Sequence, residues 1–340
     1  MTILITGGAG YIGSHTLIEL SKVGYDFVVF DNLSNSCDES LKRVSKLINK
    51  DVKFVKGDIR DRAALKACFE QYKPDSVIHF AGLKAVGESV VKPIEYYDNN
   101  VNGTLVLLDV MREYNCKKII FSSSATVYGN PNAPLIKEDF PVGGTTNPYG
   151  TSKYFIERIL QDCYVADNKM QIVLLRYFNP VGAHESGMIG EDSSGIPNNL
   201  MPYISQVAVR KRPHLNVFGN DYPTRDGTGV RDYLHVVDLA IGHVKALDYL
   251  NAHPGSKPLI VNLGTGNGCS VLELVHAFEK VNGIEIPYKI VDRRPGDLPT
   301  VVADPSYAKE VLGWTATKTI EDMVRDSWNW QSHNPNGYRA

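Results

Sequence analysis

Short apolar runs alternate with longer stretches of helical period, and this rhythm constrains the fold more than any other feature of the chain. The runs fall at residues 3–5, 27–30, 54–55, 77–80, 119–121 and 172–175. Segments such as 11–23, 61–72 and 93–114 lie between them, with apolar residues at helical spacing. A strand that is apolar throughout has both faces covered, which is the condition of a parallel sheet with helices on each side. The pattern predicts an α/β fold on a doubly wound parallel sheet.

The rhythm loosens after Phe178. Residues 180–229 are rich in Gly, Pro, Asn and Asp, with one helix expected near 198–211. A long irregular stretch inside a compact chain is more often functional than idle. Helical patterns return at 236–250, 271–281 and 319–331, and 259–263 reads as one more core strand. The chain, at 340 residues, has room for two lobes. The expected division is a first domain over residues 1–179, rejoined by segments near 234–263, and a smaller C-terminal lobe, mainly 180–340, that binds substrate.

The net charge of −2 sets up no global field for nucleic acid or a membrane surface. Lys117-Lys118 and Arg210-Lys211-Arg212 read as solvated helix ends. The five cysteines, Cys37, Cys68, Cys116, Cys163 and Cys269, show no Cys-x-x-Cys spacing. That argues against a disulfide framework or a zinc site and for a reducing, cytoplasmic setting. No signal peptide is read ahead of the first strand, and no apolar run reaches membrane-spanning length. His184-Glu185 lacks the second histidine of a His-Glu-x-x-His metal motif, so no metal is expected.

Gly7, Gly10 and Gly13 follow the first strand and open a helix, in Thr6-Gly7-Gly8-Ala9-Gly10-Tyr11-Ile12-Gly13. Absent side chains permit a tight turn, close approach of backbone to a pyrophosphate, and tight helix–sheet packing. The helix N-terminus then favours the anionic phosphates. Asp31 ends the second strand in Phe30-Asp31-Asn32. A carboxylate there accepts both ribose hydroxyls and repels a 2′-phosphate, which selects NAD over NADP. This is the Rossmann arrangement. Asp58-Ile59, after the third strand, is a place for the adenine edge. Phe80-Ala81-Gly82-Leu83-Lys84, after the fourth, lets a dinucleotide lie against backbone. Lys84 is equally read as a surface lysine, and Asn99 as either a cofactor contact or a polar helix residue.

Ser122-Ser123-Ser124-Ala125-Thr126 closes the fifth strand, where ligands of an open parallel sheet bind. Tyr149 and Lys153 follow Pro148, a residue suited to the first turn of a helix, and at four-residue spacing they share a face. A phenol with a pKa of about 10 must drop two to three units, about 3–4 kcal/mol, to serve as a base near neutrality. A lysine ammonium roughly 5 Å away supplies about 3 kcal/mol at an effective dielectric near 20. The pair predicts hydride chemistry at a carbinol carbon, with Ser124 bridging substrate and base.

With these motifs the chain resembles the extended short-chain dehydrogenase/reductase superfamily and, within it, the UDP-galactose 4-epimerase family. The specific stretches are Phe121-Ser122-Ser123-Ser124-Ala125-Thr126-Val127-Tyr128-Gly129, Asn147-Pro148-Tyr149-Gly150-Thr151-Ser152-Lys153, Leu175-Arg176-Tyr177-Phe178-Asn179-Pro180, and Gly229-Val230-Arg231-Asp232-Tyr233-Leu234-His235-Val236-Val237-Asp238. The resemblance spans essentially the whole chain. It implies a UDP-glucose/UDP-galactose epimerase with tightly bound NAD, in which carbon 4 gives up a hydride and regains it on its other face.

In that family's scheme Tyr149 takes the proton from the sugar 4-hydroxyl and Ser124 shuttles it. Lys153 binds the nicotinamide ribose and lowers the tyrosine pKa. Further NAD contacts are implied at Tyr11, Ile12, Asn32, Asn35, Ser36 and Phe178. The UDP-sugar contacts fall on Phe178, Asn179, Asn199, Leu200, Asn216, Val217, Phe218, Arg231 and the stretch from Arg294 to Asp297. Arg231 and Arg294 suit a diphosphate clamp, because guanidinium forks match phosphate oxygens. Val301 stands where many bacterial members carry tyrosine. The smaller side chain leaves room for an acetamido group, or neighbours refill the space. A homodimer through residues 93–114 and 148–165 is also implied.

Sugar-nucleotide dehydratases and decarboxylases of the superfamily begin with the same oxidation. They carry a carboxylate just after the strand-end hydroxyl, where this chain has Ala125 and Thr126. A non-catalytic NAD-binding regulator would be expected to lose Tyr149 or Lys153, and both are present.

Overall fold

The computed structural model describes residues 1–131, 133, 135–192, 197–294 and 296–339. It divides into two compact units. The first comprises Met1–Asn130, Phe140–Arg176 and Ala240–Val261; the second Pro131–Asp139, Tyr177–Leu239 and Asn262–Ala340.

The first unit is organised on a seven-stranded sheet. Its strands are β1 (Thr2–Thr6), β2 (Asp26–Asp31), β3 (Lys53–Lys56), β4 (Ser76–His79), β5 (Lys118–Ser124), β6 (Gln171–Tyr177) and, later in the chain, Leu259–Leu263. The spatial order is Leu259–Leu263, β6, β5, β4, β1, β2, β3. The pairs β1–β2, β2–β3, β1–β4 and β4–β5 are parallel. β1, β4 and β5 are almost wholly buried, as continuous apolar runs require. Strand order reverses at β1, so the carboxyl ends of β1 and β4 form the crevice in which such sheets bind ligands. One face of the core gathers Leu4, Val28, Phe30, Val77, Ile119 and Phe121 with Leu107, Met111, Ile156 and Leu160 from the covering helices.

Two expectations change here. The stretch of helical period over 93–114 is divided into Pro93–Tyr97, a π-type turn at Asp98–Asn102 and the helix Gly103–Glu113. Residues 131–139, read as part of the first domain, group with the second unit. There Ile136 bridges Ala303, and Glu138 Oε1 accepts from the Asn262 nitrogen at 2.8 Å.

The second unit centres on the strand Val230–His235. It pairs antiparallel with Gly268–Ser270 and parallel with Asn179–Val181 and Thr300–Val301. A separate parallel pair joins Leu215–Phe218 to Tyr288–Val291. The helices Val271–Asn282 and Ile320–His333 each start with a capping box, Ser270 with Glu273 and Thr319 with Asp322. Among the described residues no helix is long and apolar enough to cross a membrane.

Candidate functional site

The loop after β1 fits a dinucleotide by what it excludes. Gly7 has φ +72°, and a Cβ there would stand 2.6 Å from the Ala81 nitrogen. A Cβ on Gly13 would stand 2.6 Å from the Gly7 oxygen. Gly10 meets only that oxygen, at 3.2 Å, which leaves its other side open. The helix α1 (Tyr11–Lys22) then begins at Gly10 with no side-chain cap. Uncapped amides at a helix start, reached by bare backbone, are what a pyrophosphate needs. Ile12 lies in that first turn.

Asp31 stands at the end of β2, where the ribose reading puts it. Its carboxylate accepts from the Ala9 and Leu33 amides at 3.0 and 2.8 Å and from the Ser36 hydroxyl at 3.0 Å. Burial raises its pKa above the ordinary value, against those three bonds. Ser36 thus acts through Asp31, while Asn35 is exposed. Asn32 donates to Asp58 Oδ2 at 2.9 Å. Hydrogen bonding with Arg60 holds the Asp58 carboxyl well below the usual range. The Ile59 side chain packs into the core against Gly103 and is not presented to a ligand. Phe80 lies 4.7 Å from the His243 ring. Exposed Lys84 lies 5.9 Å over the Tyr11 ring.

The residue missed beside Asn99 is Asn100. Asn99 donates to the Asn100 Oδ1 at 2.9 Å. Asn100, 1% exposed, also accepts from the Leu83 amide at 2.8 Å and donates to the Leu83 carbonyl and the Ser152 hydroxyl, both at 3.0 Å. One amide thereby ties the loop after β4 to the helix that bears Tyr149. Its burial inside a π-type turn left no periodic signal in the sequence.

The helix Pro148–Ala166 starts with Asn147, whose side chain accepts from the Gly150 amide at 2.8 Å, and with Pro148 in its first turn. The Tyr149 phenol lies near the Ser124 side chain at the end of β5, close enough for that neighbour to lower its pKa. The Ser124 hydroxyl accepts from the Thr126 amide and hydroxyl at 3.2 and 3.0 Å. Lys153 Nζ donates to the Ser122 carbonyl at 2.7 Å and lies 4.8 Å from the Phe121 ring centroid and 5.9 Å from that of Tyr149. The three groups come together as expected. Enclosure of the phenol pushes the Tyr149 pKa up, and Ser124 only partly offsets this. Burial pushes Lys153 down to about 8. Desolvation is the largest cause for both groups, and it disfavours both charged forms.

In the second unit, Arg231, Arg294 and Asp297 converge. Asp297 Oδ2 accepts from Arg294 Nε at 2.9 Å, and its other oxygen lies 3.8 Å from Arg231. Arg231 also donates to the Val230 and Leu298 carbonyls. The Arg294 guanidinium lies 4.7 Å from the Phe218 ring centroid. Asn216 is half-buried on the same strand as Phe218, whereas Val217 points into the core. Asn199 precedes the helix Leu200–Ala208 and donates to Glu191 at 3.2 Å; Leu200 packs on the core. Phe178 is buried, and its amide donates to the Leu263 carbonyl at 3.4 Å. Asn179 begins the strand beside Tyr233. Val301 is in register with Arg231. Pro295 lies outside the described residues. Among the described residues no cluster of three or more His, Cys, Asp or Glu suits a metal ion.

The family model described as GDP-mannose 4,6 dehydratase matches residues 4–327. The UDP-glucose 4-epimerase of Pasteurella multocida is 62% identical over 340 residues, covering 100% of both chains. The crystal structure of UDP-glucose 4-epimerase from Bifidobacterium longum in complex with NAD+ and UDP superposes with a TM-score of 0.95 at 58% identity, covering 99% of this chain and 100% of that one. The UDP-Glc/GlcNAc 4-epimerase structure from Campylobacter jejuni matches with a TM-score of 0.85 at 35% identity, over 98% of this chain and 99% of that one. With its glycine loop, its Tyr149–Lys153 helix and this likeness along its whole length, the chain belongs to the UDP-glucose 4-epimerase family, within the wider family that the dehydratase model describes.

Proposed function

We propose that this protein is an isomerase that interconverts UDP-galactose and UDP-glucose through a transient 4-keto sugar. The observation that carries the mechanism is the meeting of Tyr149, Ser124 and Lys153 at the end of β5, with no carboxylate at the two positions that follow Ser124. Bound NAD would supply hydride acceptance and return at carbon 4, and its positive ring would favour the ionised phenol of Tyr149. Tyr149 takes the proton of the sugar 4-hydroxyl, with Ser124 as the bridge. Lys153 supplies the cation that steadies the phenolate. The glycine loop and the start of α1 hold the pyrophosphate of NAD, and Asp31 its adenosine ribose. Arg231 and Arg294, arranged around Asp297, hold the UDP diphosphate, and Phe178, Asn179, Asn199 and the strand Leu215–Phe218 complete the nucleotide site. A dehydratase or decarboxylase needs a further acid or base, and Ala125 and Thr126 provide none.

The test mixes purified protein with UDP-galactose and no added NAD. UDP-glucose forms without growing NADH absorbance. NADH that accumulates in step with substrate consumed would mark an ordinary dehydrogenase and end this reading.

A second substrate class follows from Val301, a small, half-buried side chain in register with Arg231. We infer that UDP-GlcNAc and UDP-GalNAc are also interconverted, in line with the substrate pair named for the Campylobacter jejuni relative. Val301→Tyr then suppresses N-acetyl turnover and spares UDP-galactose; an unaltered protein inert toward UDP-GalNAc refutes the idea. The five free thiols fit a reducing cytoplasm, and we take the working form to be a homodimer.

A further inference from the structure

Three consecutive residues of β5 each hold one residue of the helix Pro148–Ala166. The Ser122 carbonyl takes Lys153, the Ser123 hydroxyl donates to Glu157 Oε1 at 2.5 Å, and the Ser124 hydroxyl meets Tyr149. Tyr149, Lys153 and Glu157 recur at four-residue intervals, so they line one face. Two of them have a place in the chemistry above; Glu157 has none. It is 1% exposed and is gripped by Arg176, whose Nε and Nη2 donate to its two oxygens at 2.9 and 2.6 Å. Arg176 in turn donates to the Tyr128 hydroxyl at 3.0 Å, on the turn that follows Ser124. Apolar residues of similar volume often stabilise a core as well as a buried ion pair does, so stability alone does not account for charge at this spot.

We propose that Glu157 is a positioning residue for the reaction: anchored by Ser123 and Arg176, it fixes the Tyr149 helix against the end of β5 and sets the counter-charge for the Lys153 ammonium one turn away. This rests on the epimerase reading. Among the described residues, the other groups around Lys153 supply no negative charge. Tyr149 and the Phe121 ring are neutral, and so is His79 on β4, which burial pushes down to about 3. Gly82, where an added Cβ would lie 3.8 Å from Nζ, and neighbouring Asn100 carry no charge. Arg176 is directed to Glu157 and Tyr128. Glu157 is the group that raises the Lys153 pKa against burial. A charged lysine steadies the Tyr149 phenolate, so turnover declines as pH rises through the lysine's pKa.

The test compares kcat and KM for UDP-galactose across pH in the wild type and Glu157→Gln, with Lys153 also followed by NMR of 13C-labelled lysine. Glutamine keeps the shape and an acceptor but not the charge. Its alkaline limb, and the lysine titration itself, move to lower pH by about one unit. kcat falls roughly tenfold, a fraction of what a positioned acid–base group supplies, while KM holds. If Glu157→Gln does not fold, Glu157→Gln/Arg176→Met removes both charges and shows a smaller shift in the same direction, because the more distant cation offsets only part of the lost carboxylate. An unchanged lysine titration and alkaline limb in whichever variant folds would overturn the proposal, since a purely structural pair changes stability and not the profile. A wild type that does not epimerise UDP-galactose would instead defeat the functional reading beneath it.

Discussion

His79 shows how a single residue can bind a site's framework to pH. Thr104 Oγ1 spends its one proton on the Asn100 carbonyl at 2.6 Å, so it must accept from His79 Nε2 at 2.9 Å. Nδ1 is therefore unprotonated and accepts from Thr6 Oγ1 at 2.6 Å. The neutral ring connects the end of β1, the end of β4 and the turn that holds Asn100. Burial, helped by the Lys153 charge, pushes its pKa down to about 3. The folded state thus refuses a proton that the unfolded chain accepts from about pH 6.5 downward. Stability present above pH 6.5 is lost as pH falls toward 3, by about 2 kcal/mol at pH 5. Urea unfolding at pH 7 and pH 5 measures this. The wild type loses on the order of 2 kcal/mol more than His79→Gln, which keeps polar contacts but does not titrate. Equal losses in the two proteins would show that the ring is not the sensor.

At the scale of elements, the legible parts were those whose sequence signal is local. The strands β1, β4, β5 and β6 sit where the apolar runs put them, because a doubly covered strand has no polar face to blur the pattern. The Tyr149 helix announced itself through Pro148 and the four-residue spacing of Tyr149 and Lys153. The turn at Asp98–Asn102 did not, since one extra residue per turn disturbs helical periodicity only slightly. What sustains that turn is the set of long-range bonds from Asn100 to Leu83 and Ser152, which spacing cannot reveal. The same limit hid Glu157, because a lone buried carboxylate on a helix reads as a surface residue until Ser123 and Arg176 are seen beside it. Burial acts on the site in the same hidden way: desolvation pushes Tyr149 up and Lys153 down, which the spacing of the two residues does not reveal. The passage of residues 131–139 into the second unit rests on the Ile136–Ala303 bridge and the Glu138–Asn262 bond, which span more than a hundred positions of sequence.

For the molecule as a whole, the remaining question is what covers the apolar side chains that the first unit leaves on its surface. Val90, Val91 and Ile94 are 62%, 79% and 79% exposed, and Phe155 is 44% exposed. They belong to neighbouring elements: the helices Val86–Val91 and Pro93–Tyr97 both pack on Pro148–Ala166, and the Tyr97 and Phe155 rings stack at 6.0 Å. In the homodimer proposed above, exposed apolar side chains on these neighbouring helices are a place for the second copy to sit. A stable dimer buries about 800 Å² on each partner, which needs flanking surface beyond these four side chains. In a two-fold interface each substitution occurs twice, so an introduced carboxylate meets its own copy or an apolar partner, and both are unfavourable. Ile94→Glu combined with Phe155→Glu therefore halves the mass seen by sedimentation at micromolar concentration and leaves the far-UV circular dichroism unchanged. Both sites are already exposed, so the monomer folds. A wild type that sediments as a monomer ends the dimer reading, and a doubly substituted protein of undiminished mass moves the interface to another face.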